Sequence, residues 1–83
     1  MNINVRLGGG LAQLIGHPRL TVALPENSTI TDLLTHLRAE YPALAQKLDT
    51  AVPMISGRHA APTQILTTGH EVALLLPVAG GCR

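Results

Sequence analysis

From residue 2 the chain alternates between apolar and polar side chains. In NINVRL, Ile3, Val5 and Leu7 fall on one side and Asn2, Asn4 and Arg6 on the other, the period-2 pattern of a half-buried strand. Glycines 8–10 break that pattern and turn the chain out of the strand. Leu11, Leu14 and Ile15 then recur at helical spacing for barely more than one turn. Alternation returns in RLTVAL, where Leu20, Val22 and Leu24 share a face, so the two strands predict an antiparallel hairpin with a connection longer than two residues. In TITDLLTHLRAEYP, Ile30, Leu33, Leu34, Leu37 and Tyr41 follow i, i+3, i+4, i+7 and i+11, one face of an amphipathic helix. Thr29 followed by Asp32 resembles a capping box, and Pro42 disfavours helical geometry at Tyr41. PALAQKLD predicts a short second helix with Pro42 at its start.

AVPMIS reads as a short strand whose Pro53 cannot donate to a ladder, which predicts an edge or an irregular start. The stretch 56–71 is loop-rich, with turns expected at Ser56-Gly57 and Thr68-Gly69 and room for one minor strand. EVALLLPV is apolar at every position from Val72 to Leu76, which suits a central strand running parallel to the first. One substantial helix among four to five strands predicts an α+β fold: a single mixed sheet with the helix packed on one face. The domain is expected to span residues 1–79, followed by a flexible tail, 80–83. On the last strand Val72, Leu74 and Leu76 point one way and Ala73 and Leu75 the other, yet both sets are apolar. Two readings stay open for the second face. Either the short helix and residues 57–70 wrap over it, or it is an exposed docking surface.

Composition narrows the function more than the fold. Eighty-three residues make one small domain. Hydrophobic residues are 46% of the chain while Phe and Trp are absent, so the core is aliphatic. A formal net charge of +1 with a single aromatic residue, Tyr41, provides neither a basic stripe nor stacking platforms for nucleic acid. No polybasic patch or span-length apolar stretch points to a membrane. The N-terminus lacks a signal-peptide pattern, and the expectation is a soluble cytoplasmic domain.

Motifs for chemistry within the domain fail one by one. LGGGLAQLIG invites a phosphate-loop reading, but Gln13 stands where the dinucleotide spacing needs glycine and no Gly-Lys-Ser/Thr follows. His17, His36, His59 and His70 are scattered, with no i, i+4 pair for zinc. They are expected on the surface, with no metal site and no bound cofactor. Cys82 is the one cysteine, so no internal disulfide forms, and near the end of the chain it has no positioned base. The domain is therefore expected not to be an enzyme by itself.

The end of the chain, LLLPVAGGCR, is the informative stretch. Glycines without side chains can pass through a narrow channel into another protein's active site. A C-terminal glycine carboxylate delivered there can attack the α-phosphate of ATP to give an acyl-adenylate, and a sulfur nucleophile can displace AMP. The chain resembles the ThiS/MoaD family of sulfur carriers with the ubiquitin-like β-grasp fold. NINVRL resembles the family's first strand, TITDLLTHLRAEYP its helix, MISGRHA a strand and turn in which Asn-Gly is common, and LTTGHEVALLLPVAGG its closing block. The resemblance implies that Gly80 and Gly81 thread into a partner and that Gly81 is adenylated and thiocarboxylated. It implies an E1-like adenylating enzyme that consumes ATP, a persulfide or sulfurtransferase as sulfur donor, and a sulfur-accepting biosynthetic enzyme. Ser56 stands in place of the usual Asn and His70 in place of the usual Asp. The larger departure is Cys82-Arg83 after the second glycine, which leaves Gly81 in a peptide bond. Family members with a short extension imply cleavage between Gly81 and Cys82 by a JAMM-type zinc metalloprotease; a degenerate tail is the alternative.

Docking is expected along the outer side of the last strand, at Ala73, Leu75, Pro77 and Val78, with Arg6 and Arg58 as possible charged contributors. Other functions stay open: the small subunit of a molybdopterin synthase, a ubiquitin-like modifier linked to lysines, or a persulfide carrier using Cys82.

Overall fold

The computed structural model describes residues 1–76. Strand β1 (Asn2–Leu7) alternates exposed and buried positions along its length. It pairs antiparallel with β2 (Arg19–Ala23), Ile3 opposite Val22 and Arg6 opposite Arg19. The central strand β5 (Glu71–Leu75) runs parallel to β1. On its other side lies β3 (Val52–Ile55), antiparallel, followed by the two-residue β4 (Arg58–His59). The sheet order is β2-β1-β5-β3-β4. This is the mixed sheet the pattern predicts, with the apolar run at its centre.

The connection between β1 and β2 differs from the expectation. Helix α1 spans Gly9–Ile15, so two of the three glycines lie inside a helix rather than in a turn. Gly8 is extended and anchors the strand end, its N–H donating to the Leu74 carbonyl at 2.9 Å. Glycine is a poor helix former, and packing explains why it is found here. A Cβ on Gly10 would lie 2.8 Å from Cδ1 of Leu76, so its absence lets α1 sit directly beside the end of β5. Leu11 from this helix is fully buried.

Helix α2 (Ile30–Glu40) forms as its periodicity predicts. Its capping box is complete: the Asp32 N–H donates to Thr29 Oγ1 at 3.3 Å and the Thr29 N–H to Asp32 Oδ2 at 2.9 Å. These bonds satisfy two backbone donors at the helix start. Ile30, Leu33 and Leu37 are fully buried, and Leu34 and Tyr41 flank them half-buried. Pro42 opens a 3-10 turn (Pro42–Leu44) that leads into the short α3 (Ala45–Leu48). Leu44 and Leu48 complete the layer. Together with Ile3, Val5, Leu7, Val22, Val72 and Leu74 these residues form one aliphatic core between helices and sheet.

Pro53 is placed by a local edge inside an interior strand. By sheet order β3 is internal, but β4 pairs only with Met54 and Ile55. The Pro53 carbonyl accepts from the Ala60 N–H at 2.9 Å, so its ring nitrogen also faces β4. This pair keeps one of its two bonds, the β4 ladder ends there, and pairing with β5 needs no donor from Pro53. The two-residue loop of this hairpin is Ser56-Gly57, with φ of 53° and 78°. Two positive φ values define the turn in which Asn-Gly is favoured, so Ser56 occupies a left-handed conformation that its side chain disfavours.

Candidate functional site

The register sorts the outer face of the sheet into rows. Arg19, Arg6, Ala73, Met54 and His59 stand side by side across all five strands. Next to them, toward the end of β5, Leu75 faces Val52. On the other side the row is Thr21, Asn4 and Glu71.

This face carries no helix. All of the helical side chains that enter the core meet the opposite side of the sheet, where Val72 and Leu74 are fully buried. Residues 61–66 do not cross the outer face. They run beside the start of α2, with the Thr31 N–H donating to the Pro62 carbonyl, Ile30 to Gln64, and Leu66 to Ser28. Leu66 is buried there. Of the two readings for the second face, the wrapped one is not met: among the described residues neither a helix nor residues 61–66 cover it. Ala73 is half-buried and Leu75 is 42% exposed. They floor a shallow cavity of about 430 Å³, together with Arg6 and Met54, and the turns at Gly57 and His70 rim it.

The expected docking residues are thus brought together where they are described. Ala73 and Leu75 share the outer face beside Arg6; Pro77 and Val78 lie outside the described residues. So do Gly80, Gly81, Cys82, the cleavage site and the 79/80 boundary. Arg58 does not join this face. It pairs with Ile55, which is opposite the buried Val72, so Arg58 stands on the other side and leaves this one to His59. Three contributors to the face escaped the sequence reading. Met54 and Val52 come from a strand whose parity is obscured by Pro53, and Arg19 becomes a neighbour of Arg6 only through the hairpin register. The alternation of RLTVAL places Arg19 outward, and the register would have been needed to place it beside Arg6.

At the end of β5, Leu76 lies beside α1. Leu76 is half-buried and packs against the core, fitting the space that Gly10 leaves open. The turn before β5 is closed by its histidine: the Thr67 N–H donates to Nδ1 of His70, and Thr67 Oγ1 lies 3.3 Å from Nε2. The imidazole therefore supplies the acceptor that an Asp carboxylate would supply in the same turn. His17 and His59 are exposed, while His36 and His70 are half-buried rather than fully on the surface. Among the described residues no three His, Cys, Asp or Glu side chains converge as a metal site.

Comparison with known proteins gives this geometry a family. A curated relative, the molybdopterin synthase sulfur carrier subunit of Arabidopsis thaliana, is 27% identical over 98% of this chain and 84% of its own length. The crystal structure of SAMP1 from Haloferax volcanii matches with a TM-score of 0.87 at 27% identity, covering 98% of this chain and 100% of that one. A complex of subunits 1 and 2 of the molybdopterin-converting factor from Helicobacter pylori has a chain with the same fold, TM-score 0.72 at 22% identity, covering 98% of this chain and 100% of that one. A mixed sheet with one main helix packed on it is the ubiquitin-like β-grasp. The model of the ThiS family matches residues 5–81, and the chain therefore belongs to the ThiS family, the sulfur carriers of the ThiS/MoaD type.

Proposed function

We propose that this chain is a protein cosubstrate that carries sulfur on the carboxyl group of Gly81 for a biosynthetic pathway in the cytoplasm. The observation that carries the reading is the extent of the family match, which reaches Gly81 and stops before Cys82. Gly81 is in a peptide bond with Cys82, so cleavage there comes first, by a protease of the JAMM zinc type. In an E1-like enzyme the freed carboxylate then attacks the α-phosphorus of ATP, and pyrophosphate leaves. The terminal sulfur of a persulfide attacks the acyl carbon and AMP leaves. A thiol attacks the other sulfur of the resulting acyl disulfide, the one bonded to the donor, and forms a new disulfide with it. The former terminal sulfur stays on Gly81 as a thiocarboxylate. The chain itself binds no cofactor and performs no catalysis; ATP belongs to the activating enzyme.

Reach sets a condition on docking. The five residues from Pro77 to Gly81 span at most about 18 Å when fully extended. The activating site must therefore lie close to the end of β5, and the open face formed by Ala73 and Leu75 adjoins that end. Intact-mass measurement of the protein isolated from its own cells tests the reading. We expect a species lacking Cys82 and Arg83, part of it heavier by one oxygen-to-sulfur exchange. Full-length chain alone would overturn it.

The similarity to the Arabidopsis sulfur carrier subunit favours a second reading, in which the acceptor is a molybdopterin synthase and this chain its small subunit. A stable complex with a large synthase subunit, retained through gel filtration, would select it. Isopeptide-linked adducts on lysines would instead favour a modifier, the role named for the archaeal small modifier proteins of similar fold.

A further inference from the structure

The outer face holds two positive charges that make no ion pair among the described residues. Arg6 and Arg19 are directly opposite in the β1–β2 register, and both are exposed. The Leu7 N–H donates to the Pro18 carbonyl at 2.7 Å, so the next pair along, Arg6 with Arg19, is of the non-hydrogen-bonded kind. Such pairs bring side chains closest, and like charges there destabilise the sheet.

No acid relieves them. The chain has five acidic residues, and four are engaged elsewhere. Asp32 closes the α2 capping box, Asp49 pairs with Arg38 at 2.7 Å, Glu40 lies 3.7 Å from His36, and Glu26 lies 3.9 Å from the N-terminal amine. The fifth, Glu71, is one row away on β5 beside Asn4 and makes no ion pair with either arginine. Immediately next to Arg6 in its row stand Ala73 and Met54, with Leu75 one step further.

We propose that Arg6 and Arg19 form an electrostatic lock for a partner protein that presents carboxylates to them and an apolar strip to Ala73, Met54 and Leu75. The proposal rests on the sulfur-carrier reading, in which this face docks the adenylating enzyme. Two arginines beside an aliphatic patch fit a protein surface. Nucleic acid and anionic membranes call for longer runs of Lys and Arg, and the whole chain carries only +1. Guanidinium forks pair with carboxylates in a bidentate manner, which gives the contact orientation as well as charge. Complementary charge of this kind speeds encounter and rejects wrong partners.

The test uses the full-length chain and the purified ATP-dependent adenylating enzyme of the same organism. Wild type is expected to bind with an affinity that falls as salt rises. The double variant Arg6→Glu/Arg19→Glu should lose at least tenfold in affinity. Arg58→Glu, a charge change off this face, should stay within about twofold of wild type. In the free protein, Arg19→Gln should raise the melting temperature by about 2 °C at low salt, through relief of like-charge repulsion. Equal affinity of the double variant and wild type, with circular dichroism showing both folded, would overturn the lock while leaving the sulfur-carrier reading intact. An Arg58→Glu loss as large as that of the double variant would overturn it too. Absence of any binding by wild type, with no thiocarboxylate in the intact mass, would overturn both. Binding of an RNA oligonucleotide or of phosphatidylserine vesicles that disappears in the double variant would overturn the protein assignment.

Discussion

Strand β5 has two faces made of nearly the same residues, and they meet opposite surroundings. Val72 and Leu74 are completely shielded by the helices, while Ala73 is half-buried and Leu75 remains 42% exposed one residue away. Hydrophobicity alone does not distinguish them. What separates them is which side of the sheet the only long helix covers. Burial of a leucine stabilises the domain by about 1.5–3 kcal/mol, and an exposed leucine leaves that gain available to a partner. The apolar run in EVALLLPV thus serves folding on one side and, on the proposed reading, recognition on the other.

The contrast can be broken from the buried side first. Leu74→Ala should cost about 2–5 kcal/mol, read as a lowered midpoint in urea unfolding. Thr29→Ala removes the hydroxyl that accepts from the Asp32 N–H and should cost about 1 kcal/mol, measurable the same way without loss of the sheet. Ser56→Asn should act in the other direction, raising stability by roughly 0.5 kcal/mol because Asn tolerates the left-handed backbone better than Ser. Leu75→Asp should move stability least, by no more than about 0.5 kcal/mol, yet abolish docking of the adenylating enzyme. Retained binding by that variant would remove the outer face from the docking surface.

Much of the frame was legible because its elements depend on local period. The α2 stripe, its capping box, the β1–β2 hairpin and the central placement of the last strand all follow from residues close in sequence. Three features depend on contacts between distant segments. Gly10 enters a helix because a Cβ there would meet Leu76, which no local propensity encodes. Pro53 sits in an interior strand because β4 stops one residue short of it. The pairing of Arg6 with Arg19 needs the hairpin register, whereas alternation gives only the side each points to. The Gly80-Gly81 pair was readable as chemistry from the sequence, and the openness of the outer face was not, because the course of residues 61–66 decides it.

The parallel pairing of β1 with β5 also dictates when the molecule becomes recognisable. Strand β1 waits beside its hairpin partner for a neighbour encoded some seventy residues later, a long-range closure that is slow to form. Until residues 71–75 have emerged, Arg6 has no Ala73 beside it and the face has no centre. On the proposed sulfur-carrier reading, in which this face docks the adenylating enzyme, an incomplete or misfolded chain offers no docking surface, and the strand order restricts activation to finished molecules.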